Sequence, residues 1–273
     1  MRLALALPFL LAACSPVDVV NAFSGSDAVR ETRDLSYGPL ARQGYDLYEP
    51  VNARPGAPTV MFVHGGSWEE GSKDIYRFLG TALAEAGYPV AAINYRLTPE
   101  AVFPTFVEDA ALAADHLLDQ GRDVVLMGHS AGAHIATMIA YDERFMQSLG
   151  RSNCDLDGVI GLAGPYDFLP LNENRLGDSF PRATRDASQP IDYAEGPAPA
   201  SLLIHGLDDE TVHDEDTRLM QAALEVAGNR SEMRLYEGVG HINIIGAFAG
   251  LLRGQAPTYR DVVDWLDAGP GGC

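Results

Sequence analysis

The sequence lacks the features of a membrane-spanning, metal-binding or nucleic-acid-binding protein. The apolar run at residues 3–13 is too short to cross a bilayer as a helix. Basic residues are scarce, with 19 Lys and Arg against 38 Asp and Glu, and the net charge of −19 disfavours nucleic acid as a partner. Three cysteines show no zinc-type spacing, and no HExxH helix is present. Neither a metal ion nor a cofactor is implied.

The first residues have the pattern of an export signal. Arg2 precedes the apolar run, so we expect residues 1–13 to be a signal peptide. The sequence LAAC, residues 11–14, resembles the lipobox of bacterial lipoproteins, whose cysteine carries the lipid. We therefore predict lipidation at Cys14, an anchor in the bacterial cell envelope and a spacer over residues 14–40. An ordinary cleaved signal with an unmodified cysteine is the alternative.

The rest of the chain is long enough for one large domain. Residues 41–268 are assigned to it, and the 47% hydrophobic content of the sequence is sufficient for a core. Residues 269–273 form a short glycine-rich tail that ends in Cys273. An exported protein could join Cys273 to Cys154, but the sequence leaves this pairing open.

Short apolar, β-branched segments alternate with helical patterns along this domain. Strands are predicted at residues 59–64, 89–94, 124–128, 158–163, 201–205 and 233–236. Helices are predicted near residues 74–87, 107–119, 130–142, 215–227 and 257–267. Uninterrupted apolar strands separated by helices predict an α/β fold, a mostly parallel sheet covered on both faces. Residues 45–50 are expected to add an antiparallel edge strand, and residues 165–200 to form a long active-site connection.

A GxSxG segment points to nucleophilic catalysis. Residues 128–132, GHSAG, follow a predicted strand and open a predicted helix. In that context the glycines permit a sharp turn that exposes the serine hydroxyl, and the helix N-terminus favours developing negative charge. We therefore predict that Ser130 is a nucleophile.

A second glycine-rich segment follows the first parallel strand. A serine hydrolase needs preorganised backbone N–H groups for the oxyanion of its tetrahedral intermediate, and glycines let the main chain approach closely. We predict that Gly65, Gly66 and Ser67 contribute to this oxyanion hole. The amide of Ala131, directly after the nucleophile, would complete it. Trp68 is expected to form a wall of the substrate pocket, with core packing as its alternative role.

Together these motifs resemble the α/β-hydrolase superfamily, specifically serine esterases near its hormone-sensitive-lipase and arylformamidase branches. HGGSW is similar to their oxyanion loop, NYRLTPEAVFP to the segment after their next strand, and GHSAGAH to their nucleophile elbow. The resemblance implies an α/β-hydrolase fold, no large cap domain and the chain order serine, acid, histidine. Ser67 stands where lipase-like members carry a third glycine, and this leaves the branch open.

The resemblance places the acid in the segment HGLDDETV, residues 205–212. It assigns the role to Asp209, which must be buried against the histidine to fix its tautomer. Asp208 and Glu210 are neighbouring alternatives. Asp167, after the preceding predicted strand, is a further one.

Chain order then leaves two histidines as the base. His213 is only four residues after Asp209, too near to leave the strand end independently. His241 follows one more helix and strand, so the chain can return it to the same sheet edge. We predict His241 as the base. His129 and His134, although close to the serine in sequence, are expected to be non-catalytic.

The predicted activity is hydrolysis of a small carboxylic ester through an acyl-enzyme. The expected partners are a small-molecule substrate and, through the lipid anchor only, a membrane. An arylformamidase is the first alternative, although predicted export would separate such an enzyme from cytosolic tryptophan breakdown. A catalytically silent hydrolase fold that serves as an envelope binding protein is the alternative from another class.

Overall fold

The computed structural model describes Asn21 and residues 24–170 and 177–273. The predicted signal peptide and the predicted lipidation site at Cys14 lie outside the described residues. None of the helices in the described ranges is long and apolar enough to span a bilayer.

In this part of the chain eight strands form one sheet, in the order β1-β2-β4-β3-β5-β6-β7-β8. The strands are β1 Val29–Ser36, β2 Gly44–Pro50, β3 Thr59–Val63, β4 Val90–Ile93, β5 Val124–His129, β6 Gly158–Leu162, β7 Ser201–Gly206 and β8 Ser231–Tyr236. Strands β3 to β8 are mutually parallel, whereas β2 pairs antiparallel with β4 and with β1. The predicted mostly parallel sheet is confirmed.

Helices cover both faces of the sheet, as predicted. They are α1 Arg77–Glu85, α2 Thr105–Asp119, α3 Ala131–Tyr141, α4 Glu143–Gln147, α5 Asp214–Ala227, α6 His241–Gly246 and α7 Thr258–Asp267. Alternate residues of β3 enter different cores: Met61 and Val63 pack with α2 and α3, and Val60 and Phe62 pack with α1 and α7. A strand buried on both faces needs apolar residues at every position, and this explains its uninterrupted apolar sequence.

Two sequence predictions about the start of the domain are wrong. Strand β2 is not at the edge of the sheet, because β1 pairs along its outer side from Val29 to Ser36. The spacer predicted for residues 14–40 is therefore too long, since residues 29–36 belong to the sheet. The sequence VRETRDLS lacks the apolar pattern by which a buried strand is recognised. No residue of β1 is fully buried, and an edge strand of this kind tolerates charged side chains.

The end of the domain is more tightly held than a loose tail would be. Cys273 forms a disulfide with Cys154, and the two Cα atoms are 5.1 Å apart. The pairing that the sequence left open is therefore present in the structure. Pro270 is buried in the same tail. Between β6 and β7, the described residues form only loops and short 3₁₀ turns, Arg185–Ser188 and Pro190–Tyr193 among them.

Candidate active site

Ser130 lies in a sharp turn between β5 and α3. Its backbone has φ 56° and ψ −123°, and positive φ is uncommon for residues other than glycine. A Cβ atom on Gly128 would collide with the carbonyl of Gly132, and one on Gly132 would collide with the carbonyl of Val63. Both glycines are therefore required for the strained strand-to-helix turn that the GxSxG segment predicts.

The loop after β3 has a similarly unusual backbone. Gly66, Ser67 and Trp68 have φ angles of 124°, 52° and 60°. The turn is closed by the amides of Glu69 and Glu70, which donate to the carbonyl of Gly66 at 3.0 and 2.9 Å. The amides of Gly66 and Ser67 take no part in these turn hydrogen bonds. Within the described residues, these two amides therefore donate to no backbone carbonyl of the loop.

Gly65 lies directly against the turn that carries Ser130. A Cβ atom at Gly65 would be 3.2 Å from the Cβ of Ser130, so a larger residue would push the two segments apart. The backbone of Gly65 also hydrogen-bonds Tyr76. On the other side of the serine, Ala131 is the first residue of α3, so its amide has no acceptor within the helix.

Asp209 and His241 meet at the ends of β7 and β8. Nδ1 of His241 and Oδ2 of Asp209 form a 2.6 Å hydrogen bond. The other carboxylate oxygen, Oδ1, accepts hydrogen bonds from the amides of Thr211 and Val212 at 2.8 and 3.0 Å. Asp209 is buried, whereas its neighbour Asp208 is exposed. Of these two aspartates, the structure pairs Asp209 with the histidine.

His205, at the end of β7, contacts the same carboxylate. Its Nε2 lies 3.4 Å from Oδ2 of Asp209 and 2.9 Å from the carbonyl of Val212. Its Nδ1 is 2.6 Å from the hydroxyl of Thr217. Burial opposes ionisation of Asp209, but the hydrogen bonds from His205, His241 and Val212 outweigh it and hold the pKa of this carboxyl well below its ordinary value. A charged carboxylate can orient an imidazole and stabilise its protonated form.

His129 packs on His241. The two ring centroids are 4.7 Å apart, and Nε2 of His129 lies 2.9 Å from the backbone carbonyl of His241, to which it donates. Burial, together with the neighbouring His241, lowers the pKa of His129 to about 3, so this ring is neutral. His129 thus links the turn at Ser130 to the segment that carries His241.

A cavity of about 480 Å³ is bordered by Ser130. Ser67, Trp68 and Ala131 line the same cavity, so the predicted oxyanion loop and the turn that carries Ser130 face one space. The other lining residues come from the loops after β6 and β7 and from α5; they are Pro165, Asp167, Phe168, Leu169, Pro170, Thr211, Val212, His213 and Asp216. Asp167, an alternative for the triad acid, is therefore part of the cavity wall.

This arrangement has the parts that acyl transfer requires. A half-buried serine at the edge of a cavity, loop amides that the turn's own hydrogen bonds leave free, and a buried carboxylate hydrogen-bonded to His241 lie at the carboxyl ends of parallel strands of one sheet. Within the described ranges, no three His, Cys, Asp or Glu side chains are grouped so that they could hold a metal ion.

The family of this chain is shown by its similarity to a known family. The model of the BD-FAE family matches residues 45–224, from β2 into α5. The chain belongs to the BD-FAE family. The matched region contains Ser130 and Asp209 and ends before His241.

Relatives of this BD-FAE chain include esterases and a formamidase. A probable isoprenylcysteine alpha-carbonyl methylesterase from Oryza sativa subsp. japonica is 30% identical over 242 residues, 78% of this chain and 58% of that protein. Kynurenine formamidase from Danio rerio is 28% identical over 166 residues, 56% of each chain. The chain thus spans little more than half the length of these two relatives. Esterase B from Lactobacillus rhamnosis matches with a TM-score of 0.79 and 21% identity, over 92% of this chain and 90% of that one. The structural match establishes the α/β-hydrolase fold.

Asp216, in the first turn of α5, is a cavity residue that the sequence analysis missed. Its Oδ2 accepts a 3.1 Å hydrogen bond from the amide of Tyr166. Burial raises the pKa of Asp216 to about 6, although hydrogen bonds from the backbone of Tyr166 and Asp167 offset part of this effect. No local pattern marks this residue, because Asp216 and Tyr166 are 50 residues apart and meet only in the fold.

Asp216→Asn is expected to stabilise this BD-FAE protein more at about pH 8 than at about pH 4. Between the ordinary carboxyl pKa of 3.8 and the raised value of about 6, the folded state binds more protons than the unfolded state. Wild-type stability therefore falls as pH rises through this interval. The asparagine keeps an acceptor for Tyr166 but does not titrate.

The difference in Tm between variant and wild type, measured across this pH range, tests the prediction. Asp208→Asn is the control, because Asp208 is exposed. A Tm difference for Asp216→Asn that does not change with pH would show that burial of its charge does not destabilise the fold.

Proposed function

We propose that this protein is a serine carboxylesterase that hydrolyses short-chain carboxylic esters through an acyl-enzyme. One observation carries the proposal: Ser130 lies at a strained turn and borders a cavity with Ser67 and Trp68, and the preceding residue, His129, packs on the His241 that is hydrogen-bonded to Asp209. The esterase names of the rice relative and of the Lactobacillus structure support the ester as substrate.

In the proposed reaction His241 takes the proton of Ser130 as its Oγ attacks the ester carbonyl. The amides of Gly66, Ser67 and Ala131 hold the oxyanion of the tetrahedral intermediate. His241 then gives the proton to the departing alcohol, and an acyl-enzyme remains on Ser130. Water, activated by the same imidazole, hydrolyses this intermediate and releases the carboxylic acid.

The size of the cavity favours small acyl groups. A volume of about 480 Å³ is in the lower part of the range for small-molecule sites. Esterase B from Lactobacillus rhamnosis, which shares the fold, was crystallised with a tributyrin phosphonate inhibitor. We expect acetyl to butyryl aryl esters to be the best substrates, with kcat/KM falling beyond about eight acyl carbons.

Labelling with a fluorophosphonate tests the enzyme proposal directly. The reagent should form one covalent adduct on Ser130 in the wild-type protein and none in Ser130→Ala. A correctly folded wild-type protein that forms no adduct would remove the esterase proposal and leave a silent hydrolase fold that binds its ligand without chemistry.

Formamide hydrolysis is the second candidate, because kynurenine formamidase is among the relatives. An alkoxide or phenoxide leaves more readily than an amine, which His241 must protonate, so we propose the ester. The comparison of phenyl acetate with N-formylkynurenine decides between them. A preference for the formamide above about tenfold in kcat/KM, or 1.4 kcal/mol, would replace the esterase proposal with a formamidase one.

We also propose that Cys14 carries a lipid that anchors the protein in the bacterial cell envelope. The LAAC sequence at residues 11–14 supports this proposal. Wild-type protein grown with a labelled fatty acid should incorporate the label, and Cys14→Ser should not. An unlabelled wild-type protein with a free Cys14 thiol would contradict the anchor.

A further inference from the structure

The oxyanion loop needs support from outside its own backbone. Gly66, Ser67 and Trp68 all have positive φ, a conformation that costs free energy at the two positions that are not glycine. Such strain persists only where surrounding contacts over-determine it. The amide of Thr98 provides one contact, a 2.9 Å hydrogen bond to the carbonyl of Trp68.

The side chain of Trp68 provides the second contact. Trp68 is only 3% exposed, although it lies at the cavity wall. Its Nε1–H donates a 3.2 Å hydrogen bond to Nδ1 of His134, and the two rings meet edge to face with centroids 5.2 Å apart. Phe180 packs on the indole edge to face at 4.7 Å. The loop is therefore attached to the core by a directional bond as well as by packing.

His134 is held in the state that this bond requires. Its Nε2 lies 2.8 Å from the carbonyl of Ser188, so Nε2 carries the proton and Nδ1 presents a lone pair to the indole. Full burial lowers the pKa of His134 to about 4, which keeps the ring neutral. A protonated ring would lose the acceptor.

The position of His134 in the chain connects the turn at Ser130 with the loop that contains Trp68. It lies four residues after Ser130, in the first turn of the helix that Ser130 precedes as N-cap, so the two residues are joined by a short, regular stretch of chain. The hydrogen bond to Trp68 therefore fixes the distance between the nucleophile and the oxyanion loop. This gives a physical reason for a histidine at this place after the elbow and a tryptophan at the end of HGGSW.

We propose that His134 is a positioning residue that holds the oxyanion loop in register with Ser130 through the indole of Trp68. The inference rests on the proposed esterase function, because the register matters only if the loop amides stabilise an oxyanion. His134 does not touch the reacting atoms; it acts through Trp68.

Three variants separate this role from ordinary core packing. His134→Leu keeps the volume but removes the acceptor, whereas His134→Asn can place its amide oxygen near the position of Nδ1. Thr137→Ala removes a buried hydroxyl, bonded to the carbonyls of Ala133 and His134, one turn further along α3. Thr137 is a matched control for loss of stability in the same helix.

His134→Leu should lower kcat about 10- to 100-fold and change KM less than about threefold, because loss of oxyanion stabilisation acts on the transition state. His134→Asn should recover most of kcat, and Thr137→Ala should retain it. Trp68→Phe combined with His134→Leu should lower kcat no further than the worse single variant. A His134→Leu variant that is less stable but keeps kcat within about threefold of wild type would overturn the proposal.

A second readout does not depend on activity. The sequence contains two tryptophans, so the indole N–H signals of Trp68 and Trp265 can be resolved by NMR in the Ser130→Ala background. Adding His134→Leu should shift the Trp68 signal and speed its hydrogen exchange, while the Trp265 signal stays unchanged. An unchanged Trp68 signal would refute the hydrogen bond itself. An inactive wild-type protein with the expected NMR result would refute the esterase function instead.

Discussion

Asp209→Asn is expected to lower kcat about 10⁴-fold, whereas Asp208→Asn should remain within about tenfold of wild type. The 2.6 Å hydrogen bond from Nδ1 of His241 to Asp209 leaves Nε2 without a proton, free to act as the base. An asparagine amide can donate to Nδ1 and so select the opposite tautomer, which cannot accept the serine proton. The Oδ1 atom still accepts from the loop amides, so the geometry of the loop is retained.

Steady-state kinetics on an aryl ester, with Tm as the check on folding, measures this ranking. Both variants lose one negative charge at neighbouring positions, so a general electrostatic effect on the substrate would appear in both. The reverse ranking would show that the carboxylate that serves His241 belongs to Asp208. Equal, small losses would show that neither acid supports the base.

The parallel strands were the part of the fold that the sequence predicted best. Residues of β3, β5 and β7 are buried throughout, because helices cover both faces of the sheet. Burial on both faces requires an uninterrupted run of apolar residues, and such a run can be recognised in a single sequence. The antiparallel edge strand β1 could not be predicted in this way. Its sequence is charged, its residues are at least partly exposed, and its place in the sheet is set by pairing with β2.

Some residues of the candidate site can be recognised from the local sequence, whereas others are recognised only in the folded structure. Ser130 and the loop at Gly65 to Trp68 lie in short segments whose glycines permit their backbone geometry, so local sequence marks them. Asp216, which borders the cavity, carries no local signal. Its environment includes Tyr166, which is 50 residues away in the chain, and only the fold brings the two together.

Gly66→Ala should give the second large effect, a loss in kcat of about 10²–10³-fold, comparable to removal of an oxyanion donor. Gly66 has φ 124°, which L residues rarely adopt, and a Cβ atom there would collide with the backbone carbonyl of Glu70. The turn from Gly66 to Glu70 must therefore change its path. In the proposed mechanism this change displaces the amides of Gly66 and Ser67 from the oxyanion, whereas Ser130 and His241 are not substituted.

Gly254→Ala is the matched control, because a Cβ atom at Gly254 would meet nothing within 4 Å. It should keep wild-type kcat and Tm. Two measurements on Gly66→Ala locate the defect: kcat should fall while KM changes little, since a ground-state carbonyl depends less on the oxyanion amides than the tetrahedral intermediate does. The fluorophosphonate adduct should still form on Ser130, but more slowly, because its attack passes through a similar charged oxygen. A Gly66→Ala variant with kcat within about threefold of wild type would show that the loop amides do not hold the oxyanion, and the mechanism would have to draw its stabilisation from elsewhere in the cavity.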